Sequence, residues 1–150
     1  MTGSTPRIVF CFAGQGYVPL EAARDLFRTC DAFKQAILQI DDEMQSAVKR
    51  KGIQRTFIPL SEYVSEPTLR PAYVPLFGEE ESNEKCNGDS LTTPPAPLVI
   101  FASQYALART LQSMGIEPTD IVSYSLGEHC ASMVTGSLPV SAGLKLLLRR

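Results

Sequence analysis

Twice in this chain a short apolar stretch runs straight into a turn of small residues and then into a helical pattern, and this recurrence limits the fold more than any other feature. Arg7-Ile8-Val9-Phe10-Cys11-Phe12 ends at Ala13-Gly14-Gln15-Gly16, and Asp120-Ile121-Val122-Ser123-Tyr124 ends at Ser125-Leu126-Gly127-Glu128. Short apolar runs bounded by turn signals predict strands of a mostly buried parallel sheet. Helical spacing fills the interval. In residues 31–50, Phe33, Ile37, Ile40, Met44 and Val48 recur at three- and four-residue steps, with Asp31 as N-cap and Gly52 as stop. Residues 20–29 and 98–113 also read as helices, and Leu60–Val64 as a short one. A helix over 126–135 stops at Gly136, and another starts at 140 and runs to 150. Strand, turn and helix repeated in this order predict a layered α/β fold around a parallel sheet.

The middle of the chain reads differently. Pro59, Pro67, Pro71 and Pro75 make 53–77 rich in loop. Residues 78–97 are acidic, polar and rich in Pro, Gly and Ser, too poor in apolar surface to offset the entropy of ordering, which predicts a mobile surface loop. It reads as an insertion within one domain, because neither flank looks complete alone. With 150 residues, 44% of them hydrophobic, there is apolar material for one core.

A formal net charge of −2 leaves no basic footprint for nucleic acid, and Lys49-Arg50-Lys51 reads as a solvated helix end. No apolar stretch reaches the ~18 residues of a membrane span. Cys11, Cys30, Cys86 and Cys130 contain no C-x-x-C pair, so no zinc site is expected. With no secretory signal at the start, free thiols and a cytoplasmic location are the expectation.

The chemistry concentrates at Ser125. A serine between a strand and a helix, with glycine two residues later, fits a nucleophile elbow of the form G-x-S-x-G. Such a turn lifts the hydroxyl above the sheet and presents helix-start N–H groups, here that of Leu126, to a developing oxyanion. The first glycine is replaced by Ser123, whose β-carbon would crowd the turn. Taken alone, the segment fits a serine that caps a helix better than it fits the elbow. Gly14-Gln15-Gly16 is likewise either a tight strand-to-helix turn or a backbone donor at the mouth of a site; the third glycine of a dinucleotide loop is absent, since Pro19 stands there.

FAGQG near the start, QYALARTLQSMGIEPTDIV in the middle and SYSLGEHCASMVTGSLPVSAGLKLLLRR at the end resemble the acyltransferase domains of polyketide synthases and the related malonyl-CoA:acyl-carrier-protein transacylases. The resemblance covers 7–50 and 98–150. It implies an α/β-hydrolase-like core with Ser125 as the acyl-carrying nucleophile. It also implies an oxyanion hole from the backbone N–H groups of Gln15 and Leu126. Arg150, twenty-five residues after the serine, falls where the family has the arginine that holds a malonyl carboxylate. Tyr124 stands where the family has a pocket-lining histidine, which bears on acyl selectivity. No bound cofactor is implied. The substrates would be acyl-CoA or malonyl-CoA, and the partner an acyl carrier protein with its phosphopantetheine arm, or other synthase domains.

The family's catalytic histidine, ferredoxin-like small subdomain and later strands have no counterpart in these 150 residues, so the resemblance implies a partial, truncated acyltransferase domain. His129, the single histidine, is expected to be a helix-surface or packing residue, and Glu128 a helix-start charge. The alternative reading is a catalytically silent remnant or an interaction module of a biosynthetic cluster.

Overall fold

The computed structural model describes residues 6–16, 20–51, 58–65 and 96–147. Its elements are β1 (Val9–Phe12), α1 (Leu20–Thr29), α2 (Asp31–Lys51), α3 (Leu60–Ser65), α4 (Ala96–Ser113), β2 (Asp120–Ser123), α5 (Leu126–Val134) and α6 (Val140–Leu147). The expected α/β character is present, with each strand followed by its turn and helix. Gly52, the side chain of Val48, residues 78–95 of the expected insertion and the end of the last helix lie outside what is described. The loop expected to run to residue 97 ends earlier, because α4 begins at Ala96. Pro97 falls in its first turn, where a missing N–H leaves no helical bond unmade.

The two strands pair in parallel, with Val9 opposite Asp120 and Phe12 opposite Ser123. Their amino ends are tied outside the ladder. The Ile8 N–H donates to Thr119 Oγ1 at 3.1 Å, and that hydroxyl lies 2.9 Å from the Ile8 carbonyl. Arg7 pairs with Asp120 at 2.8 Å on the exposed edge, a contact of small energetic weight in water. This register brings both strands to an end at the same level, so the two turns leave the sheet side by side.

The sheet corrects one expectation. β1 is not buried on both faces: Phe10 and Phe12 turn into the core, whereas Val9 and Cys11 are exposed. Paired residues of parallel strands share a face, and Val122, opposite Cys11, is exposed too. Among the described residues the helices cover one side of the sheet, which leaves β1 alternating in burial despite its continuous apolar sequence.

The core lies between α2, α4, α5 and α6. Phe33, Ile37, Ile40 and Met44 form the buried stripe of α2, at the spacing expected of a 3.6-residue period. Phe101, Tyr105 and Ala106 of α4 and Leu126, Cys130 and Leu144 beyond it complete the cluster. α4 is buried around most of its circumference and acts as the central helix.

Among the described residues, Asp41 is the one acidic side chain buried in this core. Its Oδ1 accepts from the Leu60 N–H at 2.6 Å and its Oδ2 from the Ser61 N–H at 2.9 Å, so a carboxylate on α2 closes the open first turn of α3. Asp41→Ala is expected to cost about 2–3 kcal/mol, because it strands one buried and one part-buried donor. A urea titration should show a lower midpoint with little change in slope.

Candidate functional site

The turn after β2 is held from below by the end of β1. The Tyr124 N–H donates to the Phe12 carbonyl at 3.1 Å, and the Gly127 N–H returns to the Tyr124 carbonyl at 3.0 Å. The Glu128 N–H bonds the Ser125 carbonyl at 3.1 Å. These bonds use up the next two donors of the helix start. The N–H of Leu126 is then the first-turn donor without a partner among the described residues.

Ser125 sits in this turn at φ 53° and ψ −113°, the one non-glycine residue with positive φ among those described. An L-residue held there costs of order 1–3 kcal/mol. The residue is exposed, and its hydroxyl makes no capping bond to α5. The ordinary helix-cap reading therefore fails on geometry: an N-cap serine takes extended angles and bonds its own helix.

Gly127 shows which half of the motif the fold demands. A β-carbon there would land on the Phe12 carbonyl and come within 2.9 Å of the Ala13 carbonyl. Only glycine lets α5 start against the end of β1. Ser123, which replaces the first glycine, is accommodated as the last residue of β2 opposite Phe12, so its β-carbon does not obstruct the turn.

The glutamine turn lies against the serine turn. A β-carbon on Gly14 would stand 3.2 Å from Ser125 Cβ and 3.0 Å from Tyr124 Cδ1. Gln104 of α4 fixes this turn: its Oε1 accepts from the Ala13 N–H at 2.9 Å, and its Nε2 donates to the Ala13 carbonyl at 3.1 Å. Sequence reasoning did not single out Gln104. No local signal marks it, because α4 carries several other polar residues and the partner of Gln104 lies 91 residues away. Gln104→Leu is expected to cost about 2 kcal/mol through two lost bonds to a strand end. It should also slow any reaction at Ser125 about tenfold by loosening the neighbouring turn; melting curves and adduct-formation rates measure the two effects.

The structure thus brings Ser125, Leu126, Tyr124 and the Gly14-Gln15 turn together, and leaves Arg150 outside the described residues. Tyr124 is 75% exposed and lines a cavity beside the turn. His129, one helical turn beyond Ser125, is half-buried, and its imidazole makes no hydrogen bond to the Ser125 hydroxyl. Cys130 is no rival nucleophile: it is wholly buried, and burial pushes its thiol far up, keeping it protonated. Among the described residues no His, Cys, Asp and Glu cluster has metal-holding geometry, and no helix is long and apolar enough to cross a membrane.

No protein-family model matches the chain. It is 30% identical over 145 residues to orsellinic acid synthase armB of Armillaria mellea, a match covering 96% of this chain and 6% of that protein. It is 32% identical over 150 residues to a non-reducing polyketide synthase of Pseudevernia furfuracea, covering 100% and 6%. To the polyketide biosynthesis acyltransferase homolog BaeD of Bacillus velezensis it is 31% identical over 145 residues, covering 95% and 37%. The chain spans a small part of each synthase and little more than a third of BaeD. Along nearly its whole length, then, the chain is related to a segment of the polyketide synthases and of a polyketide biosynthesis acyltransferase homolog.

Proposed function

We propose that the chain acts in polyketide biosynthesis as an acyltransferase, carrying an acyl group on Ser125 between coenzyme A and a carrier protein. One observation carries the reading: an exposed serine in a strained strand-to-helix turn, packed against a glycine turn from the other strand. In the first half-reaction Ser125 Oγ attacks the thioester carbonyl. A C–O bond forms, the C–S bond breaks, and coenzyme A leaves as the thiol with the serine proton. In the second, the carrier's phosphopantetheine thiol attacks the ester and the hydroxyl is restored.

The N–H groups of Leu126 and Gln15 are assigned to the oxyanion, where two preorganised donors act on charge that develops only in the transition state. Tyr124 is assigned to acyl selectivity and Arg150 to the carboxylate of a malonyl group. The α/β-hydrolase-like core of the resemblance is part of the same proposal, supported by the parallel register and the elbow conformation.

A second reading, a catalytically silent interaction module, is favoured by a separate observation. Ser125 has no hydrogen-bonded base among the described residues. Mass spectrometry of the chain after incubation with malonyl-CoA and acetyl-CoA separates the two readings. The acyltransferase reading expects an ester adduct on the peptide that contains Ser125. An unmodified peptide, under conditions that label a full-length relative, rejects it in favour of the silent module.

A further inference from the structure

Beside the Ser125 turn, a cavity of about 360 Å³ opens between β1, α1, α2 and α4. Its walls include Ala23 and Leu26 of α1, Phe33 of α2, and Ile100 and Leu107 of α4; among the described residues none of its lining side chains is charged. Two of its polar side chains are committed elsewhere. The Ser103 hydroxyl donates to the Val99 carbonyl at 2.8 Å, and the Gln104 amide is held by Ala13. The volume corresponds to the liquid share of about a dozen waters, which would find few partners on such walls. The cavity and the elbow share a boundary. Gly14 and Tyr124 line the cavity, and the same two residues touch or adjoin Ser125.

These surroundings discriminate between acyl groups. Among the described residues no cation lines these walls, so a carboxylated group placed against them would lose its hydration uncompensated. An aliphatic chain would exchange water for apolar wall, at about fourfold in affinity per buried methylene. We infer that this cavity receives the chain of an uncharged aliphatic acyl group, longer than acetyl, presented as a thioester to Ser125 in addition to the malonyl group assigned to Arg150. The link to Ser125 rests on the acyl-transfer reading; the preference for an apolar chain rests on the cavity itself.

The test separates the two. In the full chain carrying Ser125→Ala, no ester can form, and calorimetric titration with octanoyl-, acetyl- and malonyl-pantetheine reads binding alone. Octanoyl-pantetheine is expected to bind about fiftyfold more tightly than either of the others, as about three fully buried methylenes would give. Ala23→Leu, which fills the cavity, should abolish the preference. Should that variant fail to fold, Leu107→Asp supplies the same test from a rim position 45% exposed, where a carboxylate should cut octanoyl binding at least about tenfold. Equal affinities for the three thioesters would overturn the inference, as would an octanoyl preference untouched by either folded variant. A chain that binds octanoyl selectively but never labels at Ser125 would overturn acyl transfer and leave the cavity assignment standing. Labelling of Ser125 without any chain-length preference would do the reverse.

Discussion

Replacing Ser125 with glycine is expected to stabilise the chain by about 1 kcal/mol while removing all acyl labelling. The two effects have opposite signs because the residue is held at φ 53°, where an L-side chain is strained and glycine is not. Relief of about 1–3 kcal/mol of strain is partly offset by glycine's greater freedom in the unfolded chain, about 0.5–1 kcal/mol. Ser125→Ala keeps the β-carbon and hence the strain, so it should lose labelling with little change in stability. Ser125→Val, branched at the β-carbon, should destabilise by more than either. Urea titrations of the three variants, with mass spectrometry after thioester treatment, check the ordering. A glycine variant less stable than the parent would mean that the turn is not under strain, and the physical basis for an exposed nucleophile there would go with it. The same trade between stability and activity is expected wherever a reactive group is lifted out of its preferred conformation.

The parts of the fold carried by periodicity were legible in the sequence. The α2 stripe of Phe33, Ile37, Ile40 and Met44 is buried as its spacing implies, and the two strand-to-turn junctions lie where the apolar runs end. What was not legible depends on contacts between segments distant in sequence. Asp41 looks like any charged residue of a helix until α3 is placed over it, nineteen residues on. Gln104 reaches Ala13 across 91 residues. The apolar run of β1 could not reveal that one face stays open, because burial depends on which helices cover the sheet. At Ser125 the local segment alone favoured the cap over the elbow. The choice lies in a single dihedral angle, which no neighbouring residue type dictates except Gly127.

Gly127 carries the second large effect. In an ordinary helix, glycine to alanine gains about 1 kcal/mol. Here Gly127→Ala is expected to lose more than about 3 kcal/mol, because the new β-carbon meets the backbone of Phe12, which cannot swing aside as a side chain would. Relief requires α5 to move away from β1. That motion would break the Tyr124 N–H bond to Phe12 and loosen the packing of Leu126 and Cys130, both fully buried. It would also carry Ser125 away from the Gly14 turn, so labelling should disappear along with the stability. Gly136→Ala is the control. Gly136, unlike Gly127, has positive φ, at 75°, but no atom lies within 4 Å of the added carbon. It should therefore show only the backbone penalty of about 1 kcal/mol and keep its labelling. A Gly127→Ala variant as stable as the Gly136→Ala control would mean that α5 does not start against the end of β1, and the two turns would then lose the contact that makes them one site.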